Sequence, residues 1–183
     1  AEGSCGRETC DPSCDCGRFC EIWNLVFQQF DRRDGGVLAP LPMKNIDTGM
    51  GFERTLAVLQ QVRNNFDSTL FTPILKAVER ETDRAFDAVR DQREGVAFRR
   101  IADHVRAAVF CIGDGILPGN TGREYVLRKI IRRAVLDARR LGADGPMLYR
   151  LTPVVGKLMG EAYPEIVERR ENIARMIRAE EER

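Results

Sequence analysis

From residue 67 to the end of the chain, apolar side chains recur every three to four positions. No other feature of the sequence constrains the fold as much, because that spacing places them on one face of a helix. Residues 95–113 carry Val96, Phe98, Ile101, Ala102, Val105, Ala108, Val109 and Ile112 in this pattern. Asp67 or Ser68 is expected to cap an earlier helix running to about Phe86, with Pro73 in its first turn, where a missing N–H costs least. Gly113-Asp114-Gly115 ends the 95–113 helix, and Leu117-Pro118-Gly119-Asn120 reads as a loop. Thr121 opens a further helix to Leu141, with Glu124 in the capping-box place. Gly142 to Gly145 breaks that helix. Another covers about Met147 to Ala162, and a last one follows Pro164 to Arg183.

The first third is different. Residues 1–18, rich in Cys, Gly, Asp and Pro, make a loop. Residues 19–30 are aromatic and β-branched enough for a strand. Asp34-Gly35-Gly36 is a turn signal, and 37–43, broken by Pro40 and Pro42, is at best an edge segment. Asn45–Thr48 reads as a short strand and Gly51–Asn64 as a helix. The expected class is α+β: short antiparallel strands, then a mainly α-helical bundle. The expected boundary divides 1–66 from 67–183.

At 183 residues, 43% hydrophobic and 31% charged, the composition is that of a globular domain with a sizeable core. A net charge of +1 leaves no global field to attract nucleic acid, so such a partner must meet a local patch. No apolar run is long enough for a membrane span, and no charged-then-apolar leader opens the chain. The sequence begins at Ala1 and reads as a piece of something longer, cytoplasmic and without a membrane partner.

Residues 47–54, Asp-Thr-Gly-Met-Gly-Phe-Glu-Arg, run straight into the apolar pattern Leu56, Ala57, Leu59, Val62. Gly49 and Gly51 let backbone approach a ligand closely, since no Cβ intervenes. Asp47 can hold a cation, and Arg54 can grip a polyphosphate with its planar fork. The octet therefore suits a molecule bearing both charges.

Five of the six cysteines fall within 5–20. Cys5, Cys10, Cys14 and Cys16 can supply four thiolates to a tetrahedral zinc. The spacing is not the usual pair of Cys-x2-Cys knuckles, and reduced surface thiols or disulfides are alternatives. Cys20 reads as a spectator and Cys111 as part of a helical core.

On the helix 121–141, Arg128, Arg132 and Arg139 share one stripe, and Lys129, Arg133 and Arg140 share the next. Leu127, Ile130, Ile131, Ala134 and Ala138 face a core. Glu124 can reach Arg128 and Asp137 can reach Arg133, which leaves Lys129, Arg132, Arg139 and Arg140 without a local partner. A bare basic face suits a phosphate backbone. Alternatively, acids of other helices, such as Glu180-Glu181-Glu182, neutralise it. With only Tyr125 nearby, backbone contact is favoured over base stacking. His104, the only histidine, has no serine or cysteine near it in sequence and reads as structural.

Three stretches together resemble the alanyl-tRNA synthetases, a class II family: Glu21-Ile-Trp-Asn-Leu-Val-Phe-Gln-Gln-Phe30, Asp47 to Arg54, and Ala102-Asp-His-Val-Arg106 with Tyr125-Val-Leu-Arg-Lys-Ile-Ile-Arg-Arg-Ala134. The Cys5–Cys16 loop is similar to an insertion in some bacterial members. The resemblance implies a ligase that joins alanine to ATP, with magnesium accompanying the nucleotide, and then charges tRNA. Residues 47–54 would be motif 3. Arg54 would clamp the outer phosphates as the catalytic residue, and Asp47 would bind the ammonium of alanine. Gly49 and Gly51 would leave room for amino acid and nucleotide, Asn24 would support the amino-acid site, and Val26 would line the methyl pocket. Asn120 would touch a wobble pair in the acceptor stem, while Arg128, Lys129, Arg132 and Arg133 would hold tRNA phosphates.

Motifs 1 and 2, the editing domain and the acidic partner of Asn120 have no counterpart in the sequence. The expectation is therefore that this piece alone forms no alanyl-adenylate. An RNA-binding module with a vestigial motif 3, and a zinc-stabilised structural domain, are the other readings.

Overall fold

A computed structural model describes residues 6, 10–14, 16–90 and 92–183. Two compact units divide the chain, Ala1–Ser68 and Thr69–Arg183. Among the described residues the class is α+β, a two-stranded antiparallel sheet and a set of helices, and no helix is long and apolar enough to cross a membrane.

In the first unit, β1 (Trp23–Arg32) pairs with β2 (Leu38–Met50). The turn between them, Asp34–Gly36, holds Gly35 and Gly36 at φ of 75° and 81°, a region other residues avoid. The sequence suggested two fragments, 37–43 and 45–48. Instead β2 is one strand of 13 residues that runs through Pro40 and Pro42. A two-stranded ribbon leaves each strand an open edge, where a missing N–H removes no ladder bond. The register slips between Gln28 and Phe30. Every residue of β1 is exposed, Trp23, Leu25 and Phe27 included. A ribbon of this kind is marginal alone, and its apolar faces are of the sort normally covered.

Helix α1 (Phe52–Leu59) starts at Gly51 and ends well before residue 64, because Gln61 turns left-handed at φ 54°. The Asn64 side chain then accepts from Phe66 N–H and starts a short 3-10 turn, Asn65–Asp67.

The helical unit opens with α2 (Thr72–Thr82). Ser68 does not cap it; its hydroxyl donates to the carbonyl of Asn65 at 2.6 Å. Left-handed Asp83 stops α2 before Phe86, and α3 (Phe86–Val89) is separate. Gly95, in the first turn of α4 (Arg93–Gly113), is required by packing: a Cβ there would lie 2.2 Å from the Arg90 carbonyl oxygen. Thr121 precedes α5 (Gly122–Arg140) but makes no side-chain cap bond, so the capping box is not formed. Helix α6 (Leu148–Met159) contains Pro153. The carbonyl that Pro153 cannot bond, that of Tyr149, accepts from the Thr152 hydroxyl at 2.8 Å, which offsets the proline. The expected last helix is two, α7 (Pro164–Glu168) and α8 (Arg170–Glu181), broken at Arg169, whose guanidinium donates to the Gly113 carbonyl.

Helix α4 is the hub and packs against α2, α3, α5, α6, α7 and α8. Phe98, Ile101, Val105 and Ile112 on α4 meet a core that includes Ile74, Ile131, Leu151 and Ile177. The start of α6 is capped from far along the chain. Glu181 on α8 accepts from Met147 N–H (3.0 Å), Leu148 N–H (2.8 Å) and Tyr149 N–H (3.1 Å). Those donors belong to the turn that no intrahelical acceptor serves.

Burial pushes the Glu181 carboxyl above its ordinary value of 4.5, against the pull of those N–H groups and of Arg150. A raised folded pKa means that folding takes up a proton. The stabilising contribution is full below about pH 4.5 and is lost as pH rises through the raised value. Glu181→Ala should lower unfolding free energy by about 2 kcal/mol, since it orphans those amides. Urea denaturation of wild type and Glu181→Gln should show wild type losing ground as pH rises from about 4.5 toward neutrality. A pH-independent difference would contradict the assignment.

Candidate functional site

The pairing of β1 and β2 sorts the octet and its neighbours. Asn24 opposes Gly49, and Val26 opposes Asp47. Cross-strand partners project from the same face, as do residues two apart along a strand. Asn24, Val26, Asp47 and Gly49 therefore share one face of the ribbon. The opposite face carries Trp23 and Thr48, joined by a hydrogen bond from the indole N–H to the threonine hydroxyl.

Gly51 closes the ladder, donating its N–H to the Ile22 carbonyl at 2.9 Å, and begins α1. Arg54, one turn into α1, donates Nη1 to the carbonyl of Glu21 at 3.1 Å. One of its donors is thus anchored, and the exposed guanidinium keeps others for a ligand. Neither Gly49 nor Gly51 has a positive φ, so the backbone does not demand glycine. What glycine leaves is space: a Cβ on Gly49 would meet nothing within 4 Å. Four residues of strand, at roughly 3.3 Å each, set Asp47 about 13 Å from the head of α1. A carboxylate and a guanidinium thus stand at the two ends of the segment where β2 becomes α1.

The cysteine loop also has geometry. Cys10, Cys14 and Cys16 bring their Sγ atoms within 4.8 Å of one another. Cys10 Sγ and Cys16 Sγ are 3.6 Å apart, far beyond a covalent S–S bond of about 2 Å. Three thiolates on a tetrahedral ion, each about 2.3 Å from it, stand at separations of this order. Asp11 shapes the turn, accepting from Ser13 N–H (2.9 Å) and the Ser13 hydroxyl (2.6 Å). Those bonds hold its carboxyl below the usual range and deliver Cys14 buried. Cys5 lies outside the described residues. Cys20 is exposed, with its thiol directed at the Glu21 carbonyl at 4.0 Å. Cys111 is half-buried on α4, where burial pushes its thiol up.

On the helical unit, Asn120 is exposed in the loop before α5, and its side-chain oxygen accepts from Arg128 Nη1. Arg128 also approaches the Pro118 carbonyl at 3.5 Å and forms an ion pair with Glu180 at 3.1 Å. Arg132 meets the same Glu180 oxygen at 3.2 Å. Glu180 is only 3% exposed. The acid triplet is thus not a solvated tail, and its first member supplies the counter-charge for the Arg128–Arg132 stripe.

Asp137 corrects the sequence reading as well. It does not serve Arg133. It lies on the buried side of α5, 1% exposed, and pairs with Arg100 of α4 (2.9 Å) and Arg140 (3.1 Å). Arg140 therefore has a local partner, contrary to expectation, while Arg132 has none on α5 and pairs with Glu180 of another helix, the alternative that the sequence left open. Lys129 sits over the Tyr125 ring at 5.9 Å, and Arg133 is exposed. His104 Nδ1 lies 3.0 Å from the Asp103 carboxylate, a contact that lowers the Asp103 pKa.

Residues 4–183 match the family model described as tRNA synthetases class II (A). The chain is 51% identical over 166 residues to the alanine–tRNA ligase of Geobacillus thermodenitrificans, covering 91% of this chain and 19% of that protein. It is 52% identical over 166 residues to that of Geobacillus kaustophilus, covering 91% and 18%. With the alanine–tRNA ligase of Anaeromyxobacter dehalogenans it shares 50% over 182 residues, covering 100% and 20%. The chain spans about a fifth of the length of these curated relatives.

Glu180→Ala should destabilise the helical unit by about 3 kcal/mol, since it leaves the mostly buried Arg128 without a counter-charge. Thermal unfolding followed by circular dichroism checks this. A melting temperature equal to wild type would show that the ion pairs carry no net stability.

Proposed function

Because the chain belongs to the class II tRNA synthetases of the alanyl type, we propose that it is the part of an alanine–tRNA ligase that holds amino acid and phosphates on one ribbon face and acceptor-stem RNA on its helical unit. The shared face of Asn24, Val26, Asp47 and Gly49, leading to Arg54, is the observation that carries this reading.

Asp47 takes the ammonium of alanine, and Asn24 opposite Gly49 supports that site with an amide. Val26, directly across from Asp47, borders the methyl group. One methyl gives little discrimination, so glycine and serine should enter to some degree. The alanine carboxylate attacks the α-phosphorus of ATP, and pyrophosphate leaves. Arg54, pre-anchored on the Glu21 carbonyl, meets the charge that gathers on the departing phosphates. A preorganised donor of this kind needs little rearrangement during the step. Gly51 lets the nucleotide approach the backbone where β2 becomes α1. Magnesium bound with ATP would screen the phosphate charges.

On the helical unit, Asn120 reads a base-pair edge in the shallow groove of A-form RNA, as a side chain that both donates and accepts can. Arg128, tied to Glu180 and to the Asn120 oxygen, orients that amide. Lys129 and Arg133 hold phosphates, and exposed Arg132 adds its outer face. This piece does not form alanyl-adenylate by itself. The alternative, an RNA-binding module with a vestigial motif 3, shares the helical surface and differs in that Arg54 is idle.

Cys10, Cys14 and Cys16 hold a structural zinc, with Cys5 as the fourth thiolate. The clustering of three Sγ atoms supports this. Metal analysis of protein purified without chelator should find about one zinc per chain, and less in Cys14→Ala. Finding no metal in the wild-type protein would remove the zinc assignment.

Arg54→Ala in the intact parent enzyme should slow alanine-dependent pyrophosphate exchange by about 100-fold or more, with an unchanged melting temperature. Exchange at the normal rate would count against the phosphate-clamp role of Arg54.

A further inference from the structure

We propose that a pocket between the first turn of α4 and the last turns of α5 binds a phosphate of an RNA backbone. The proposal rests on the RNA-binding reading above and joins Arg140 of the basic helix to Arg93 and Arg100 of α4, which the sequence did not single out.

The cavity measures about 840 Å³, and Arg93, Glu94, Arg100, Asp137 and Arg140 are among its lining. Its charges do not balance. Asp137 is a single buried carboxylate shared by Arg100 and Arg140. Glu94 is engaged by Arg84, at 3.2 Å. Arg93 has no hydrogen bond or ion pair to any described residue. Three arginines thus face one carboxylate that is not already neutralised from elsewhere. Asp91, adjacent in sequence, could offset at most one of the two surplus charges. Gln92 gives α4 no side-chain cap, so the positive end of a 21-residue helix adds to the field at the same place.

Asp137 does more than subtract charge. With one carboxylate it holds Arg100 and Arg140 against the wall of the pocket. The Arg140 side chain remains 59% exposed, with donors beyond the one spent on Asp137. Two planar forks and an unattached third favour a phosphate over a simple carboxylate.

The pocket is not isolated. Arg140 lies seven residues beyond Arg133 and eleven beyond Lys129, on the same stripe of α5. That stripe is about 16 Å long, at 1.5 Å per residue. A row of cations of this length follows successive phosphates of a polymer rather than one small anion. On the neighbouring stripe, by contrast, Glu180 holds Arg128 and Arg132. Buried carboxylates therefore leave Lys129, Arg133 and the net-positive Arg140 pocket as one track of surplus positive charge, although Arg140 itself shares Asp137.

The test uses the 183-residue chain and a fluorescently labelled short RNA hairpin, titrated at several salt concentrations. Arg93→Glu should weaken binding roughly tenfold and reduce the log–log salt slope by about one. The milder double variant Arg93→Gln/Arg140→Gln keeps Asp137 paired with Arg100 and should lower the slope by about two. Arg175→Glu, an equal charge change on α8, should alter neither. Pocket variants that behave like Arg175→Glu, while wild type binds the hairpin, overturn the pocket and leave the RNA reading standing. A wild-type chain that does not bind the hairpin at all removes the underlying reading. Pyrophosphate binding by calorimetry that Arg93→Glu abolishes, with hairpin affinity unchanged, would also overturn the proposal, by giving the pocket to a free polyphosphate.

Discussion

A carboxylate taken out of water must find cations or N–H donors, and this requirement organises the polar interior of the helical unit. Among the described residues, three acids are almost wholly buried there. Asp137 ties α5 to α4 through Arg100, Glu180 ties α8 to α5 through Arg128 and Arg132, and Glu181 ties α8 to the start of α6. Each joins helices far apart in sequence, so the last turn of α8 fixes the positions of α5 and α6 together. The same contacts decide which arginines remain available at the surface. Structure and recognition are linked through these acids: an arginine consumed in holding the fold is a poor phosphate ligand, and its neighbour on the next stripe is a better one.

The ribbon of the first unit follows a different logic. Its residues pair in a register that brings Asn24, Val26, Asp47 and Gly49 to one face, and its ladder closes on Gly51 just as α1 begins. Yet the strands bury almost nothing, and their apolar side chains stand exposed. A hairpin of this composition gains little by itself. The chain spans about a fifth of its curated relatives. A surface so apolar is of the kind that covering structure normally buries.

Much of this was legible in the sequence, for identifiable reasons. Helical periodicity over residues 95–113 and 121–141 located α4 and α5 closely, because both carry a continuous apolar stripe. Gly35 and Gly36 marked the turn because only glycine sits easily at their positive φ. The Asp47–Arg54 octet spans the end of β2 and the start of α1, the strand-to-helix change that the sequence suggested there. The failures also have physical causes. Pro40 and Pro42 looked like strand breakers, but an open edge tolerates them. The α7–α8 break at Arg169 depends on a hydrogen bond to Gly113, which no local pattern encodes. The partners of Asp137 and Glu180 were hidden for the same reason. Sequence spacing reveals pairs along one helix, whereas these acids reach across to another. Glu181 as the cap of α6 comes from 33 residues away.

The central claim is that buried carboxylates sort the arginines into structural and recognition sets. Nuclear magnetic resonance of the arginine Nε–H groups, during titration of the 183-residue chain with a short RNA hairpin, tests it most directly. The account predicts that Arg128 exchanges slowly with solvent and keeps its shift, while Arg93 and Arg133 move. A shift at Arg128, with Arg93 and Arg133 unmoved, would contradict it.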